Sequence, residues 1–377
     1  MYDKILSFPN LLQAYYKARR NKRYRRRLQK MEMDFENRLL TISASLKDQT
    51  YKPKKYHKFV VFEPKMRQIS APAFIDRIIH HAIMTIIEPL FETQFIPNSF
   101  ACRKDKGTHF GMLKIARCYK IFAKKYPIFY ALKCDIKQYF ASIDHQILFK
   151  LLAQTLTCPK TLQLLKSIIE SYEDLPGKGI PIGNLTSQLF ANVYLHKLDL
   201  YIQNDLREQN YFRYMDDFII FSQDKEYLIM LRSEIGDFLK EHLGLSLHPK
   251  KANVLRADRG LDFLGYFIKA DVTVLRKKTL RRYKKRHKRR LKLLAGYKKD
   301  LKKQNESLQL SIFSDSSENE QAVFLKEEIE GLKHKLRSSR NSLKGFLNYS
   351  KYRKLPTGGV EVNGIIIPNI FSRKKKP

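Results

Sequence analysis

The chain has 377 residues, with 73 Lys and Arg against 37 Asp and Glu, for a formal net charge of +36. With 43% hydrophobic and 12% aromatic residues it can build a sizeable core, which excludes a disordered basic tail. A folded protein this cationic is suited to a polyanion, and nucleic acid is the first expectation.

The cysteines Cys102, Cys118, Cys134 and Cys158 form no CxxC pair and have no histidine at zinc-ligand spacing, and the histidines form no HExxH pair. The opening MYDKILSFPN lacks a basic start followed by a long apolar run, and no apolar stretch approaches the roughly 18 residues needed to cross a bilayer. The expectation is a reduced, cytoplasmic protein without disulfides.

Residues 1–50 read as helical, and the run from Lys17 to Arg27 places cations on every face of that helix, which suits it to phosphates better than to a core. From Tyr51 the pattern changes: Lys58–Phe62 is strand-like, Glu63–Lys65 is a turn and Arg67–Pro72 is a second short strand. Apolar residues at helical spacing, Ile75, Ile78, Ile79, Ala82, Ile83, Ile86 and Ile87, predict a helix over 75–91, where His80 and His81 serve packing or phosphate contact. An apolar strand over 126–134 ends directly on Asp135. Helices follow at 145–156, 160–172 and 184–200, and a hairpin at 211–222.

This alternation predicts an α+β domain over about residues 55–270. Residues 276–303 are dense in Lys and Arg, with an apolar stripe of Leu280, Tyr283, Leu291, Leu294 and Tyr297. The polar, acidic stretch 305–321 reads as a flexible insert, and a basic helix resumes over 322–352. The tail after Pro356 is Gly-rich, then apolar, then basic.

The chemistry concentrates in the segment FRYMDDFIIF, Phe212–Phe221. Adjacent carboxylates at the tip of an apolar hairpin repel each other and are costly to desolvate, a conflict that metal cations remove. An exposed Asp-Asp turn fits that segment equally well. The segment YALKCDIKQYF, Tyr130–Phe140, favours the metal reading, because it puts Asp135 at the end of a second apolar strand. Two such strands can form a binuclear Mg²⁺ site in which one metal activates a 3′-hydroxyl and the other neutralises leaving pyrophosphate.

YMDD at Tyr214–Asp217, with Asp135 and Phe140, resembles reverse transcriptases. The resemblance continues in order through RQISAP (67–72), SFACRKDKGTH (99–109), GIPIGNLTSQ (179–188), LSLHPKKAN (245–253) and FLGY (263–266). The IGNLTSQ form of the palm segment, with CRKDKGTH upstream, is similar to the reverse transcriptases of diversity-generating retroelements rather than to the QGxxxSP form of group II intron enzymes. In that family the enzyme copies a template RNA with errors opposite adenines, in company with a small basic accessory variability protein. No retron-type VTG signature, maturase extension or HNH motif is seen.

The resemblance implies a right-hand polymerase. Its parts would be a basic helical extension (1–54), fingers and palm (55–270, the palm about 126–145 and 180–270, with an antiparallel sheet), a helical thumb (271–355) and a tail (356–377). It implies Asp135, Asp216 and Asp217 as catalytic carboxylates holding two Mg²⁺ ions, with Mn²⁺ as a substitute and the Ile136 carbonyl as a further ligand. Lys65, Arg67, Phe140 and Gln188 would contact the dNTP, Phe140 as the gate against a ribose 2′-hydroxyl. Lys251, or the adjacent Lys250, would be the general acid toward pyrophosphate.

Ile182 and Gln188 would set fidelity, since an apolar Ile182 removes a hydrogen-bonding check on pair geometry. Arg103, Lys104, Lys106 and His109 would meet template phosphates, and Arg281, Arg282, Lys285 and Arg289 the RNA–DNA hybrid. The implied partners are template RNA, the hybrid, dNTPs and the accessory protein. Two other expectations stand beside this one: another bacterial reverse transcriptase of the phage-defence or group II intron type, and a catalytically silent RNA-binding scaffold.

Overall fold

The computed structural model describes residues 1–20, 32–62, 66–310 and 316–348, and the backbone of three short strands beyond. It divides into two compact units, one of residues 1–20 with 34–259 and one built mainly from residue 260 onward.

The first unit begins with three helices, α1 (Tyr2–Leu6), α2 (Phe8–Arg19) and α3 (Phe35–Lys47). Pro9 sits in the first turn of α2, where a missing N–H costs nothing. Leu11, Ala14, Tyr15 and Ala18 of α2 and Leu39, Ile42 and Leu46 of α3 are buried. They join one core with Ile78, Ile79, Ala82, Ile83 and Ile87 of α4 (Phe74–Glu92). The N-terminal helices are therefore integral to this unit rather than a separate extension, and Lys17 donates to the Thr85 hydroxyl of α4 at 2.9 Å. The most basic part of the expected phosphate-facing helix, residues 21–27, lies outside the described residues.

The two expected strands, β1 (His57–Val61) and β2 (Arg67–Ala71), pair antiparallel, with His57 opposite Ala71 and Val61 opposite Arg67. Helix α5 (Thr108–Lys125) precedes β3 (Tyr130–Asp135). A short helix α6 (Tyr139–Ser142) leads to α7 (His145–Thr155) and α8 (Pro159–Glu170). The Asp144 carboxylate caps α7, accepting from the N–H groups of Gln146 and Ile147. After α9 (Leu185–Leu200) come the hairpin strands β4 (Tyr211–Tyr214) and β5 (Asp217–Ser222), then α10 (Lys225–Leu243) and β6 (Asn253–Arg256).

The central sheet has the order β4-β5-β3-β6, all antiparallel. Its inner residues Leu132, Cys134, Phe218 and Ile220 are fully buried. α9 is buried on most of its faces, polar residues such as Asn192 and Asp199 included, as a helix in the interior of the core.

The second unit opens with a separate three-stranded sheet, β7 (Leu261–Phe263), β8 (Tyr266–Ile268) and β9 (Thr273–Leu275). The compact unit thus changes at Gly260 rather than after residue 270, and FLGY belongs to the second sheet. Gly260 has φ +120°, and a Cβ there would overlap the Phe267 ring.

Helix α11 (Lys277–Leu310) is followed by α12 (Ser316–Asn348). The two lie antiparallel, with the Arg290 guanidinium donating to the Lys335 carbonyl and Arg340 near Tyr283. The expected flexible insert is helical over 305–310 and 316–321, because no Gly or Pro interrupts it; 311–315 lie outside the described residues. Leu280 and Tyr283 of the predicted stripe are buried, whereas Leu291 is 48% exposed. Residues 353–354, at the end of the expected thumb, form a three-stranded antiparallel sheet with 360–362 and 365–367 of the tail.

The segment between α4 and α5 corrects one expectation. Arg103 is not available to phosphates: its side chain is 4% exposed and forks onto Glu92 at 2.7–3.0 Å. It also donates to the carbonyls of Ile96 (2.6 Å) and Ser99 (2.9 Å). The guanidinium closes the loop by satisfying carbonyls that have no ladder partner. Arg103→Ala should destabilise the protein by about 2–4 kcal/mol in denaturant unfolding, with no change in the salt dependence of RNA binding by the folded fraction.

Candidate active site

Asp135 is the last residue of β3 and Asp217 the first of β5, and the antiparallel register sets them directly opposite each other. Tyr214 pairs with Asp217 across the hairpin, leaving Met215 and Asp216 as the turn. Met215 has φ +59°, the backbone of a tight hairpin turn that usually takes glycine at that place. A side chain held there costs about 1–2 kcal/mol.

Three carboxylates therefore gather at one end of the sheet. The Asp216 carboxyl is pushed above its ordinary range by burial and by Asp135, with Lys251 and Arg67 opposing. Asp217 is pushed up to about 6, by burial first, then by Asp216 and Asp135, with Lys133 opposing. Lys133 lies two residues before Asp135 on β3, and the sequence reading did not single it out.

Lys251 answers part of this repulsion. Its Nζ donates to Asp135 Oδ2 at 2.5 Å. The segment carrying it is stitched to the end of β3: the His248 N–H donates to the Asp135 carbonyl, the Lys137 N–H to the Ser246 carbonyl, and Ile136 bridges Leu247. Of the two adjacent lysines, Lys251 is the one brought to a carboxylate, while Lys250 is exposed.

The residues expected on the nucleotide side come from three places. Arg67 opens β2, is exposed, and acts on Asp216 through its charge. Phe140 lies on α6 and packs partly against the core, edge-on to Tyr139. The loop before α9 is tied to both elements. Its Ile180 N–H donates to the Phe140 carbonyl at 2.9 Å, and its Ile182 carbonyl accepts from the Ser70 N–H of β2 at 3.1 Å. Gly183 has φ +106°, and a Cβ there would press on the Ile69 side chain, so only glycine allows this approach. Ile182 is half-buried, and Gln188 is exposed on the first turn of α9. Lys65 lies outside the described residues.

His80 is a packing residue, as one of its two expectations held. It is buried, its Nδ1 lies 2.5 Å from Asn184 Oδ1 in the loop, and burial pushes it down to about 4. Lys106 donates to the Pro97 carbonyl, and Lys104 is exposed. His109 is half-buried near the start of α5, where Thr108 donates to the Tyr214 hydroxyl. On α11, Arg281, Arg282, Lys285 and Arg289 are all exposed.

The sequence reading missed Arg213 and Asp199, which form a fully buried ion pair beside the hairpin. The signal was available: a charged residue within the apolar strands of a hairpin needs a buried partner.

Among the described residues no three His, Cys, Asp or Glu side chains converge tightly enough to hold an ion as they stand. The donor chemistry nevertheless suits a hard divalent cation, since the gathered groups are carboxylates under mutual repulsion.

An antiparallel sheet backed by helices, with acids at a hairpin and at the adjoining strand end, is the architecture expected of the palm in the right-hand polymerase class. The family model described as reverse transcriptase (RNA-dependent DNA polymerase) matches residues 52–268, and the chain belongs to that family. It is 23% identical over 244 residues to Protein YkfC of Escherichia coli, covering 54% of this chain and 63% of that one. It is 24% identical over 327 residues to the group II intron-encoded protein LtrA of Lactococcus lactis, covering 68% of this chain and 53% of that one. The chain thus spans less than two thirds of either relative. Among solved structures it is similar to telomerase from Candida albicans in complex with a fragment of telomeric RNA. That match has 13% identity and a TM-score of 0.45, covering 61% of this chain and 46% of that one. Among the described residues no helix is long and apolar enough to cross a membrane.

The raised carboxylates carry a pH signature. A buried acid whose folded pKa lies above its unfolded value adds stability at low pH that is lost as pH rises through the folded value. With chelator present, Asp217→Asn should stabilise the protein by about 1–2 kcal/mol at pH 7.5, and the gain should vanish near pH 4, where both side chains are neutral when folded. Thermal melts across this range check it.

Proposed function

We propose that this chain is an RNA-directed DNA polymerase that extends a DNA 3′-end on an RNA template. The observation that carries the proposal is the register placing Asp135 opposite Asp217 beside the Met215–Asp216 turn, in a chain of the reverse transcriptase family. Asp135 and Asp216, with Asp217 secondary and the Ile136 carbonyl assisting, would hold two Mg²⁺ ions, or Mn²⁺ in their place. When bound, such ions supply an activated 3′-hydroxyl and neutralise the leaving pyrophosphate.

The remaining work falls to the chain's own side chains. Arg67 offers charge-assisted bonds to the triphosphate, and Lys65 is proposed beside it from the sequence alone. The Phe140 ring takes the space that a ribose 2′-hydroxyl would need, so a ribonucleotide is rejected by exclusion. Lys251 Nζ, already at a carboxylate, is the group from which a proton passes to pyrophosphate. Lys104, Lys106 and His109 are proposed for template phosphates. The exposed face of α11 with Arg281, Arg282, Lys285 and Arg289 is proposed for the hybrid backbone, a contact that tolerates any sequence and weakens with salt.

Within the family, we assign the chain to a diversity-generating retroelement. It would copy a template-repeat RNA with adenine-directed errors, and a small basic accessory variability protein would be its partner. The IGNLTSQ segment with CRKDKGTH upstream supports this reading. The half-buried Ile182, whose carbonyl is bonded to β2, supports the fidelity role, because a wrong pair leaves no polar group of this side chain unsatisfied. Gln188 is proposed as a second contact to the nascent pair.

The test is to sequence cDNA made by the purified protein on a primed RNA template with Mg²⁺ and four dNTPs. Wild type should extend and Asp216→Ala should not. Errors should concentrate opposite template adenines, and Ile182→Gln should reduce them by about tenfold. A uniformly low error rate would move the chain to another bacterial lineage. Failure to extend even with cognate RNA and accessory protein would favour the silent scaffold.

A further inference from the structure

Arg213 lies on β4, three residues before Asp216, and both it and Asp199 of α9 are 0% exposed. Its Nε and Nη2 donate to the two Asp199 oxygens at 2.6 and 2.5 Å. Its Nη1 donates to Asn192 Oδ1 at 3.2 Å and to the Met215 carbonyl at 3.1 Å. Tyr211 adds its hydroxyl to Asp199 at 2.7 Å, and the Asn192 amide donates to the Ala101 carbonyl at 2.8 Å. The Arg213 main chain is held too, its N–H by the Asn98 carbonyl and its carbonyl by the Phe100 N–H, both at 3.0 Å.

A buried ion pair is an expensive way to attach a strand to a helix. Two well-packed apolar side chains do so equally well or better, because they carry no desolvation penalty. What an apolar pair cannot supply is the bond to the Met215 carbonyl. That carbonyl belongs to the peptide leading into Asp216, and it follows the residue at φ +59°. Without an anchor the turn would relax toward ordinary backbone, driven also by repulsion among Asp135, Asp216 and Asp217.

We infer that Arg213, oriented by Asp199, is a positioning residue that fixes the Met215–Asp216 peptide and so keeps the paired carboxylates opposite Asp135. Asp199 uses both oxygens to set the plane of the guanidinium fork, leaving Nη1 aimed at the turn. Lysine cannot replace this arrangement, since one ammonium lacks the planar fork that serves Asp199 and the turn carbonyl together. The inference rests on the polymerase reading for its functional consequence, but not for its geometry.

The experiment uses the full chain with two variants, the apolar pair Arg213→Met with Asp199→Leu, and Arg213→Lys, with Asp216→Asn as the reference for a damaged site. Melting temperature, Mn²⁺ affinity without nucleic acid (from the EPR signal of free Mn²⁺), and kcat and dNTP KM on primed RNA are measured. The apolar pair should melt at or above wild type. Its Mn²⁺ affinity and kcat should each fall by at least about tenfold, with dNTP KM within about threefold of wild type.

Arg213→Lys should keep its fold and show the same losses. Wild-type Mn²⁺ affinity and kcat in either folded variant would overturn the inference and leave the ion pair as a packing element. If wild type makes no cDNA while the variants still lose Mn²⁺, the positioning role stands and the polymerase reading falls.

Discussion

Like charges in a half-buried place are the constraint around which this structure is arranged. Asp135, Asp216 and Asp217 meet at one end of an antiparallel sheet, and burial and mutual repulsion push two of them toward their protonated forms. Nothing in the hairpin alone would hold them there. The arrangement persists because β3 and β5 are paired along their whole length, with a buried layer of Leu132, Cys134, Phe218 and Ile220 inside. The hydrophobic effect and the sheet hydrogen bonds thus hold a charge cluster that would separate in a free peptide.

Cations fall into two groups with different physical uses. Arg213 pairs with Asp199 and Arg103 with Glu92, and these charges are consumed inside the protein, while the partly exposed Lys251 pairs with Asp135. Arg67 at the start of β2 and the exposed row on α11 are not. A formal charge of +36 does not distinguish these uses, and only the exposed charges can contribute to a salt-dependent contact with phosphates. The density of Lys and Arg in a loop is accordingly a poor guide to binding, as Arg103 illustrates by serving carbonyls.

The pieces around the carboxylates are far apart in sequence and joined by one or two backbone bonds each. Ser70 reaches the Ile182 carbonyl, Ile180 reaches the Phe140 carbonyl, and Phe100 reaches the Arg213 carbonyl. Each bond satisfies a polar group that has no partner in its own element, so each motif completes another. Gly183, where a Cβ would press on the Ile69 side chain, permits the approach of its loop to β2. A larger side chain in place of Gly183 would therefore disturb this loop although the position touches no carboxylate.

Much of this was legible beforehand for a local reason. Strands 58–62 and 67–72, the helices at 75–91, 145–156 and 184–200 and the 211–222 hairpin follow from apolar periodicity and turn residues, and the structure places elements at each. The acids were legible because a carboxylate at the end of an apolar run is energetically conspicuous. Other features had no local signal. Whether Arg103 faces solvent or Glu92, and whether residues 1–20 stand apart or enter the core, depend on partners distant in the chain. Residues 305–310 and 316–321 are helical despite a polar composition that resembles a loop, because helix needs only the absence of breakers and a neighbouring helix. By itself, then, the sequence determined the elements, the acids and the cationic character of the chain, since these depend on residue type and spacing. Only the tertiary structure decided which charges are consumed internally and that Arg213 holds the turn before Asp216, because a buried charge is defined by what surrounds it.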